Sequence, residues 1–505
     1  MTDTRPANSG RFTAAWRAFV WLTLAALAGI VAFTAAAGVS DSMPVAWTAA
    51  LTASALTGWR CATSRRLAAG TATVPRVFRL AFVAGTLAVA IQLVPLTLFI
   101  VDANRSVWPA GPWRPWQSRH SCASAYWVAC EAAPRVPNLY DEAVYRPVLP
   151  PNVERRPNLG PFLVDVFEYP PTFLAPVRAL AAISGDFWRF RRLWFALNLA
   201  GVVIGLVAIA RRVDGALGTH AVWLAPWALA APSVIGTLQA GNVQLLFLVL
   251  SAVAMLLFER RRPVAGGLLL GYAIAGKLYP GVLVLYLLLR RDWRAIRWTA
   301  AGGALLALVT VVDLGWTPVA AFVDQLPKIV SGEAFPGLFR PAPISINESI
   351  PGIVFKLGLF GVPGMGFGAA RIVGWIYTVV LVAAIVWLAR RPGDRRLDPL
   401  LWIAILILAT LRSPFLPGYG AFPSLWLATL VMAVACARPR IGIVTACLWI
   451  VLALQFGQGA VPLLVNAVLT LGHTVAALVL VFAIVPRVAA AETAALPRPA
   501  VPVPA

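Results

Sequence analysis

The chain has 505 residues, of which 60% are hydrophobic and only 12% are charged. Soluble globular proteins carry about 25% charged residues, so this composition excludes an ordinary soluble fold. The formal net charge of +22 reflects 42 Lys and Arg against 20 Asp and Glu. We assign the basic excess to membrane topology and contact with anionic lipids, not to nucleic-acid binding, because basic loops orient membrane helices.

Apolar segments near the length that a bilayer requires, about 20 residues, recur along the chain. They predict an all-α, polytopic membrane protein with about 12–14 transmembrane helices, because only helices and closed barrels satisfy the backbone in lipid. The run 263–290 is interrupted around Lys277, which predicts two short helices meeting near one face of the membrane. The other candidate spans are 17–37, 43–59, 79–101, 193–210, 220–237, 241–258, 297–313, 369–389, 397–411, 420–437, 440–456 and 462–486.

Arginine clusters predict the orientation of these spans. All the clusters fall on one side of the predicted topology, which the positive-inside rule makes cytoplasmic. Both termini are then cytoplasmic in an inner or plasma membrane, and the loops 102–171, 314–350 and 412–419 lie outside. The clusters are Arg60/Arg65/Arg66/Arg76/Arg79, Arg211/Arg212, Arg260–Arg262, Arg290/Arg291/Arg294/Arg297, Arg390/Arg391/Arg395/Arg396 and Arg438/Arg440.

Three regions follow from this topology. Residues 1–78 form an N-terminal tail with two additional transmembrane helices, and 79–486 form the main membrane domain with the large outer loop 102–171. Residues 487–505 are Ala- and Pro-rich and are predicted to be a disordered cytoplasmic tail.

The outer loop holds seven of the 20 acidic residues of the chain. Near its end, Pro170 and Pro171 stiffen the backbone just after Glu168. A carboxylate held in a fixed place suits a catalytic base, so Glu168 and Asp165 are candidates. The alternative is a rigid entry turn in which Glu168 is solvated or paired with Arg178.

Polar residues at the outer ends of other spans are candidates for substrate binding. The amides Gln239, Asn242 and Gln244 suit sugar hydroxyls, although helix capping also explains Asn242. Lys277, between two apolar half-helices, and Arg412 are candidate phosphate ligands. Snorkelling of Lys277 to the surface and a lipid-headgroup contact for Arg412 are the alternatives. Asn347 and Ser349 belong to a predicted polar re-entrant turn.

Several catalytic signatures are missing from the sequence. It contains no P-loop, GxSxG, HExxH or Asp-x-Asp motif, and its histidines, His120, His220 and His473, are widely scattered. We therefore expect no cofactor and no metal site. Cys122 and Cys130 share the outer loop, where a disulfide between them requires that they do not lie two turns apart on one helix.

The motifs and their order resemble glycosyltransferase family 87, the polyprenyl-phosphate-mannose-dependent α-mannosyltransferases of the GT-C superfamily. The resemblance covers roughly 79–456. It is carried by Tyr126-x-x-Ala129, Asn138-Leu139-Tyr140-Asp141, Tyr169-Pro170-Pro171, Gly241-Asn242-x-Gln244, Ala265-Gly266, Lys277-x-x-Pro280, Asn347-x-Ser349-x-x-Gly352 and Ser413-Pro414.

The resemblance implies a GT-C fold with an extracytoplasmic active site and a lipid-phosphate sugar donor. It also implies a catalytic Asp four residues before Tyr126, where this chain has Cys122. Either another acidic residue acts as the base, or the chemistry or substrate differs; we favour Glu168 or Asp165. The acidic residues considered are Asp102, Asp141, Asp165 and Glu168.

These features predict a membrane glycosyltransferase. It would move mannose or another hexose or pentose from a polyprenyl-phosphate donor to an extracytoplasmic lipid or glycan acceptor. Trp188 and Trp194 are candidates for bordering the polyprenyl groove, although such residues are more often part of the aromatic belt. A glycolipid transporter or flippase and an inactive scaffold are the alternatives.

Overall fold

The protein is almost entirely helical. The computed structural model describes residues 8–64, 71, 74–102, 119–145, 159–213, 216–390, 395–435, 438–456 and 461–495. The helices are α1 (Asn8–Val39), α2 (Met43–Thr63), α3 (Arg76–Val101), α4 (Cys122–Ala132), α5 (Glu142–Tyr145), α6 (Leu174–Ser184), α7 (Phe187–Arg212), α8 (Ala216–Leu229), α9 (Pro232–Ala240), α10 (Gln244–Glu259), α11 (Pro263–Gly276), α12 (Val282–Leu289), α13 (Trp293–Leu314), α14 (Thr317–Ser331), α15 (Pro341–Ser345), α16 (Ile350–Leu359), α17 (Phe367–Arg390), α18 (Asp398–Thr410), α19 (Phe422–Ala435), α20 (Pro439–Ala453), α21 (Leu463–Val479) and α22 (Val485–Ala495).

The predicted class, an all-α polytopic membrane protein, is confirmed, but the predicted number of spans is not reached. Among the described residues, 6 helices are long and apolar enough to cross a membrane, or up to 7 if the bent pair α8 and α9 is one span. The difference arises because several predicted spans are shorter helices of 10–17 residues, such as α10, α11 and α20. Breaks at proline and glycine, as at Pro232 and Gly276, shorten them.

Large apolar side chains cover the outside of the long helices. Val312 on α13 is 79% exposed and Val379 on α17 is 70% exposed, and Leu80 and Ile91 on α3 are similarly uncovered. A soluble protein does not present apolar surface on this scale. The multi-pass membrane assignment therefore rests on the exposed faces as well as on helix length.

The helices α11 and α13 approach each other closely at glycine residues. A Cβ atom built on Gly302 would lie 2.8 Å from the carbonyl oxygen of Gly267, whereas one built on Gly303 meets nothing within 4 Å. Small residues let two membrane helices approach closely in this way. Because α11 ends immediately before Lys277, this contact also fixes where that lysine emerges.

The large outer loop is folded wherever the structure describes it. It contains α4, α5 and two short parallel strands, β1 (His120–Ser121) and β2 (Leu163–Val164). Cys122 and Cys130 both lie on α4 and both are free thiols, so they form no disulfide. Glu154, one of the acidic residues of the loop, lies outside the described residues.

At the C-terminal end, helix continues further than expected. The helix α22 extends to Ala495, through part of the stretch 487–505 that was predicted to be disordered. Residues 496–505 lie outside the described part of the chain. The boundaries of the three predicted regions stay a prediction.

Candidate functional site

One large cavity of about 1220 Å³ collects most of the predicted site residues. Segments that are distant in sequence form its wall: the outer loop, the α9–α10 junction, the break after α11 and the turn after α18. The predicted residues that line it are Asp165, Glu168, Tyr169, Gln239, Asn242, Gln244, Lys277 and Arg412.

The hydroxyl of Ser124 joins the two parts of the outer loop at this cavity. It lies 2.6 Å from the carbonyl oxygen of Ser121 and 3.1 Å from that of Leu163, and it accepts a hydrogen bond from the backbone N–H of Asp165 at 3.1 Å. The parallel strands β1 and β2 pair next to these hydrogen bonds. Together they place His120 against Asp165, which is 45 positions later in the sequence.

His120 is a site residue that the sequence analysis did not identify. Its Nδ1 lies 3.3 Å from an oxygen of Asp165, and its Nε2 lies 3.1 Å from the Tyr419 hydroxyl and 3.4 Å from the Cys122 sulfur. Burial alone would lower the pKa of His120. The charge of Asp165, the contact with Cys122 and the hydrogen bonds to both outweigh burial and raise that pKa well above its usual value.

The turn that carries Glu168 is anchored on both sides. The Tyr140 hydroxyl donates a hydrogen bond of 2.8 Å to the backbone carbonyl of Tyr169, and the Thr172 hydroxyl donates to the carbonyl of Ala275. The predicted stiffness around Pro170 is therefore reinforced by tertiary contacts. These bonds also tie the Glu168 turn to the end of α11.

Glu168 is half-buried, and part of its surface faces the cavity. Burial raises the pKa of its carboxyl well above the usual value, the nearby Asp165 raises the pKa further, and Lys277 acts in the opposite direction. Arg178, the predicted alternative partner, instead forms an ion pair of 2.7 Å with Asp313. Among the described residues, Glu168 has no hydrogen-bond or ion-pair partner, so its carboxyl is available to a ligand.

Lys277 lies at the break between α11 and the next helical turn, facing the cavity. Its ammonium lies 5.5 Å from the centre of the Tyr169 ring, within the range of a cation–π interaction. The Tyr126 hydroxyl donates a hydrogen bond of 3.3 Å to the Tyr169 hydroxyl, which holds that ring in place. The lysine is thus positioned beside Glu168.

The predicted amides lie in the wall of the same cavity. Asn242 Oδ1 accepts a hydrogen bond of 2.9 Å from the backbone N–H of Gln244, and Asn242 Nδ2 donates one of 3.3 Å to the Cys122 sulfur. The side-chain amide of Gln244 and the hydroxyls of Ser233 and Tyr279 have no hydrogen-bond partner among the described residues. Buried polar groups nearly always form hydrogen bonds, so these three side chains are suited to bind a polyhydroxylated ligand.

Arg412 occupies another part of the wall, next to the lipid-facing helix α17. Its Nε donates a hydrogen bond of 2.6 Å to the Thr378 hydroxyl, and its guanidinium lies 5.7 Å from the centre of the Trp375 ring. Gly374 leaves room for the guanidinium, which a Cβ atom there would approach to 3.1 Å. Trp375 lines the cavity and is also 58% exposed, so the arginine lies where the cavity reaches the lipid-facing surface.

Three predicted site residues lie outside the cavity lining. Asp141 is exposed, and its carboxylate accepts a hydrogen bond of 2.9 Å from the backbone N–H of Ala143. Asn347 and Ser349 are fully buried, and both donate to the carbonyl of Pro414, at 2.9 and 3.1 Å. They hold the turn after Arg412 in place.

Further residues at the site escaped the sequence analysis. Glu348 and His473 form a buried hydrogen bond of 3.0 Å at the cavity wall, where Arg340 also lies. By contrast, Trp188 and Trp194, which were predicted to border the polyprenyl groove, do not line the cavity. The Trp194 indole instead donates a hydrogen bond of 2.8 Å to the carbonyl of Gly241. No local motif identifies these contacts, because each joins segments that are far apart in the chain.

Comparisons with known proteins agree with the motif order. Residues 167–416 match the model of glycosyltransferase family 87. The chain is 29% identical over 317 residues to the "Polyprenol-phosphate-mannose-dependent alpha-(1-2)-phosphatidylinositol mannoside mannosyltransferase" of Mycolicibacterium smegmatis, covering 56% of this chain and 65% of the relative. It is 37% identical over 128 residues to the protein of the same name from Mycobacterium tuberculosis, covering 25% of this chain and 24% of the relative.

Both matches span less than two thirds of the relative. No solved structure matches the chain significantly. The family match includes the segments that carry Glu168, Lys277 and Arg412, and it begins after Asp165. Residues 167–416, just under half of the chain, are thus similar to glycosyltransferase family 87, the family that the order of the motifs resembles.

Proposed function

We propose that this protein is a membrane glycosyltransferase that takes a sugar, mannose or another hexose or pentose, from a polyprenyl-phosphate donor. The observation that carries the proposal is one cavity that combines three carboxylates, three cationic side chains and unpartnered amide and hydroxyl groups. A sugar phosphate needs the cations for its phosphate and the amides and hydroxyls for its ring. The names of the two relatives point to the same class of donor.

In the proposed reaction, a hydroxyl oxygen of the acceptor attacks the anomeric carbon of the donor sugar. The bond between that carbon and the phosphate oxygen breaks, and the lipid phosphate leaves with the electron pair. Glu168 takes the proton of the acceptor hydroxyl, because its carboxyl is half-buried, faces the cavity and has no competing partner among the described residues. Attack opposite the leaving group inverts the anomeric configuration.

The remaining predicted residues divide between positioning and binding. Asp165 orients His120 through the 3.3 Å contact to Nδ1. Lys277 and Arg412 stabilise negative charge on the departing phosphate. Gln239, Asn242 and Gln244 contact the sugar, with Tyr169 holding Lys277 above its ring.

Asp141, Asn347 and Ser349 contribute only indirectly to the proposed reaction. Asp141 is exposed outside the cavity lining, and the other two stabilise the turn beside Arg412.

We also propose that the cavity faces the extracytoplasmic side and that both termini are cytoplasmic. Two of the arginines predicted to be cytoplasmic, Arg212 and Arg290, lie outside the cavity lining. Arg212 contacts Glu259 at 2.5 Å, and Arg290 contacts Asp398 at 3.5 Å. The separation of these basic residues from the cavity supports the positive-inside prediction. The acceptor is then an extracytoplasmic glycolipid or glycan, such as the phosphatidylinositol mannoside in the names of the relatives.

The test is an assay of the full-length protein in proteoliposomes with labelled polyprenyl-phosphate mannose and phosphatidylinositol mannoside. The proposal expects release of the lipid phosphate and label in an acceptor-linked product. Movement of intact donor across the bilayer without product would indicate a transporter. Neither product nor donor binding, across mannose and other lipid-phosphate sugars, would contradict the enzyme proposal.

A further inference from the structure

Three metal-ligating side chains meet at the cavity wall: His120, Cys122 and Asp165. One ligand atom from each lies within 4.8 Å of the other two. Cys122 is 6% exposed, and all three residues line the cavity. Such a set of nitrogen, sulfur and oxygen donors is typical of a site for zinc or a similar transition metal.

The distances between these atoms are compatible with a bound ion. His120 Nε2 and Cys122 Sγ are 3.4 Å apart, close to the separation of about 3.6 Å that two tetrahedral ligands of zinc have at usual bond lengths. Because no two of these atoms are more than 4.8 Å apart, one point lies within about 2.8 Å of all three. Side-chain movements of about 0.5–0.8 Å or less would bring the three atoms to zinc bond lengths of about 2.0–2.3 Å.

The surroundings hold all three ligands in place. Because Asn242 Oδ1 is engaged by the Gln244 N–H, the amide must direct Nδ2 toward the Cys122 sulfur. The strand pair and the Ser124 hydroxyl fix the backbones of His120 and Asp165.

We propose that His120, Cys122 and Asp165 bind one divalent transition-metal ion, most suitably zinc, with the remaining coordination position open to the cavity. This inference goes beyond the proposed sugar transfer and differs from the expectation of no metal site. The sequence alone concealed the set, since Asp165 follows His120 by 45 positions. An open position beside Glu168 would let the ion bind the acceptor hydroxyl and make that hydroxyl more acidic.

The first experiment measures metal content and does not depend on turnover. The full-length protein is purified in detergent, stripped with a chelator, reloaded with zinc and analysed by elemental mass spectrometry. Wild type should retain one zinc per chain, whereas Cys122→Ser and His120→Ala should lose it. Cys130→Ser is the matched control on the same helix, because Cys130 does not line the cavity, and it should retain the zinc.

The second experiment replaces zinc with cobalt and records the absorption spectrum of wild type itself. A thiolate-to-cobalt charge-transfer band is expected in wild type and in Cys130→Ser, and it should be absent from Cys122→Ser. A folded wild type that binds no stoichiometric zinc, or that shows no such band, overturns the proposal. Unchanged zinc in Cys122→Ser and His120→Ala overturns it as well. Sugar transfer by metal-free protein would leave the proposed function intact while removing any catalytic need for the ion.

Discussion

The carboxyl of the proposed base, Glu168, differs from the other candidate carboxyls because it has no hydrogen-bond or ion-pair partner among the described residues. Asp165 is engaged by His120 and Asp141 by a backbone N–H, whereas the Glu168 carboxyl is free among the described residues and faces the cavity. A base must be accessible to its substrate as well as buried. Accessibility therefore favours Glu168 over the other carboxylates.

The pH dependence of sugar transfer should reflect this carboxyl. Burial and Asp165 raise the pKa of Glu168, and Lys277 opposes them without cancelling the shift. Glu168 accepts a proton only when it is ionised, so activity should fall as pH decreases through this raised pKa. The acid limb should therefore lie above the pH at which an ordinary glutamate, with a pKa of about 4.3, becomes protonated. Initial rates across pH test this.

Lys277→Met provides the control for this pH profile. Removing the ammonium removes the interaction that lowers the pKa of Glu168, so the acid limb should move to higher pH. The expected loss of phosphate stabilisation also lowers the maximum rate. An acid limb that stays in place in this variant would contradict the assignment of the limb to Glu168.

Local patterns in the sequence predicted much of the site, and contacts between distant segments account for the rest. Gln244 and Lys277 follow from polar residues placed at breaks between apolar segments, and both line the cavity. His120 was missed because its contact with Asp165 depends on a strand pair of two residues each. No periodic pattern arises from so short a pairing.

At the element scale, helix packing rather than helix length positions the site. Apolar runs predicted the long helices and several short ones, yet many of the predicted helices are too short to span a bilayer alone. The helices α4, α5, α14 and α15 lie in segments that were predicted to be outer loops. Hydropathy measures apolarity and does not show where a proline or glycine ends a helix. The break at Lys277 was predicted because the residues around this lysine interrupt the apolar run 263–290.

The contact between α11 and α13 provides a matched pair of substitutions. Gly302→Ala would place a methyl group 2.8 Å from the Gly267 carbonyl, so it should destabilise the protein by about 1–3 kcal/mol. Gly303→Ala meets open space and should be neutral or stabilise by up to about 1 kcal/mol, because alanine favours helix. Thermal unfolding in detergent measures both.

The same two variants, Gly302→Ala and Gly303→Ala, can also be compared in their rates of sugar transfer. Because α11 leads directly to Lys277, Gly302→Ala should also reduce sugar transfer, whereas Gly303→Ala should preserve it. Equal stability and equal activity of the two variants would contradict the close approach of the helices.

In the whole molecule, the cavity and the basic helix ends should lie on opposite sides of the membrane. Arg135 is exposed in the outer loop, and Arg260 is exposed at the end of α10. In a background with Cys436→Ser and Cys447→Ser, Arg135→Cys should react with an impermeant maleimide applied to intact cells. Arg260→Cys should react only after the membrane is opened. The reverse pattern would contradict the proposed orientation.

Sugar transfer should depend on Glu168, the proposed base in the cavity. The most direct measurement compares Glu168→Gln with Asp141→Asn in the labelled-donor assay, after equal folding is confirmed by size-exclusion chromatography. We expect Glu168→Gln to lower the turnover rate by about 10²–10⁴-fold, the usual contribution of a general base. Asp141→Asn should retain activity, because that carboxylate lies outside the cavity lining. Near-normal turnover by Glu168→Gln would contradict the account.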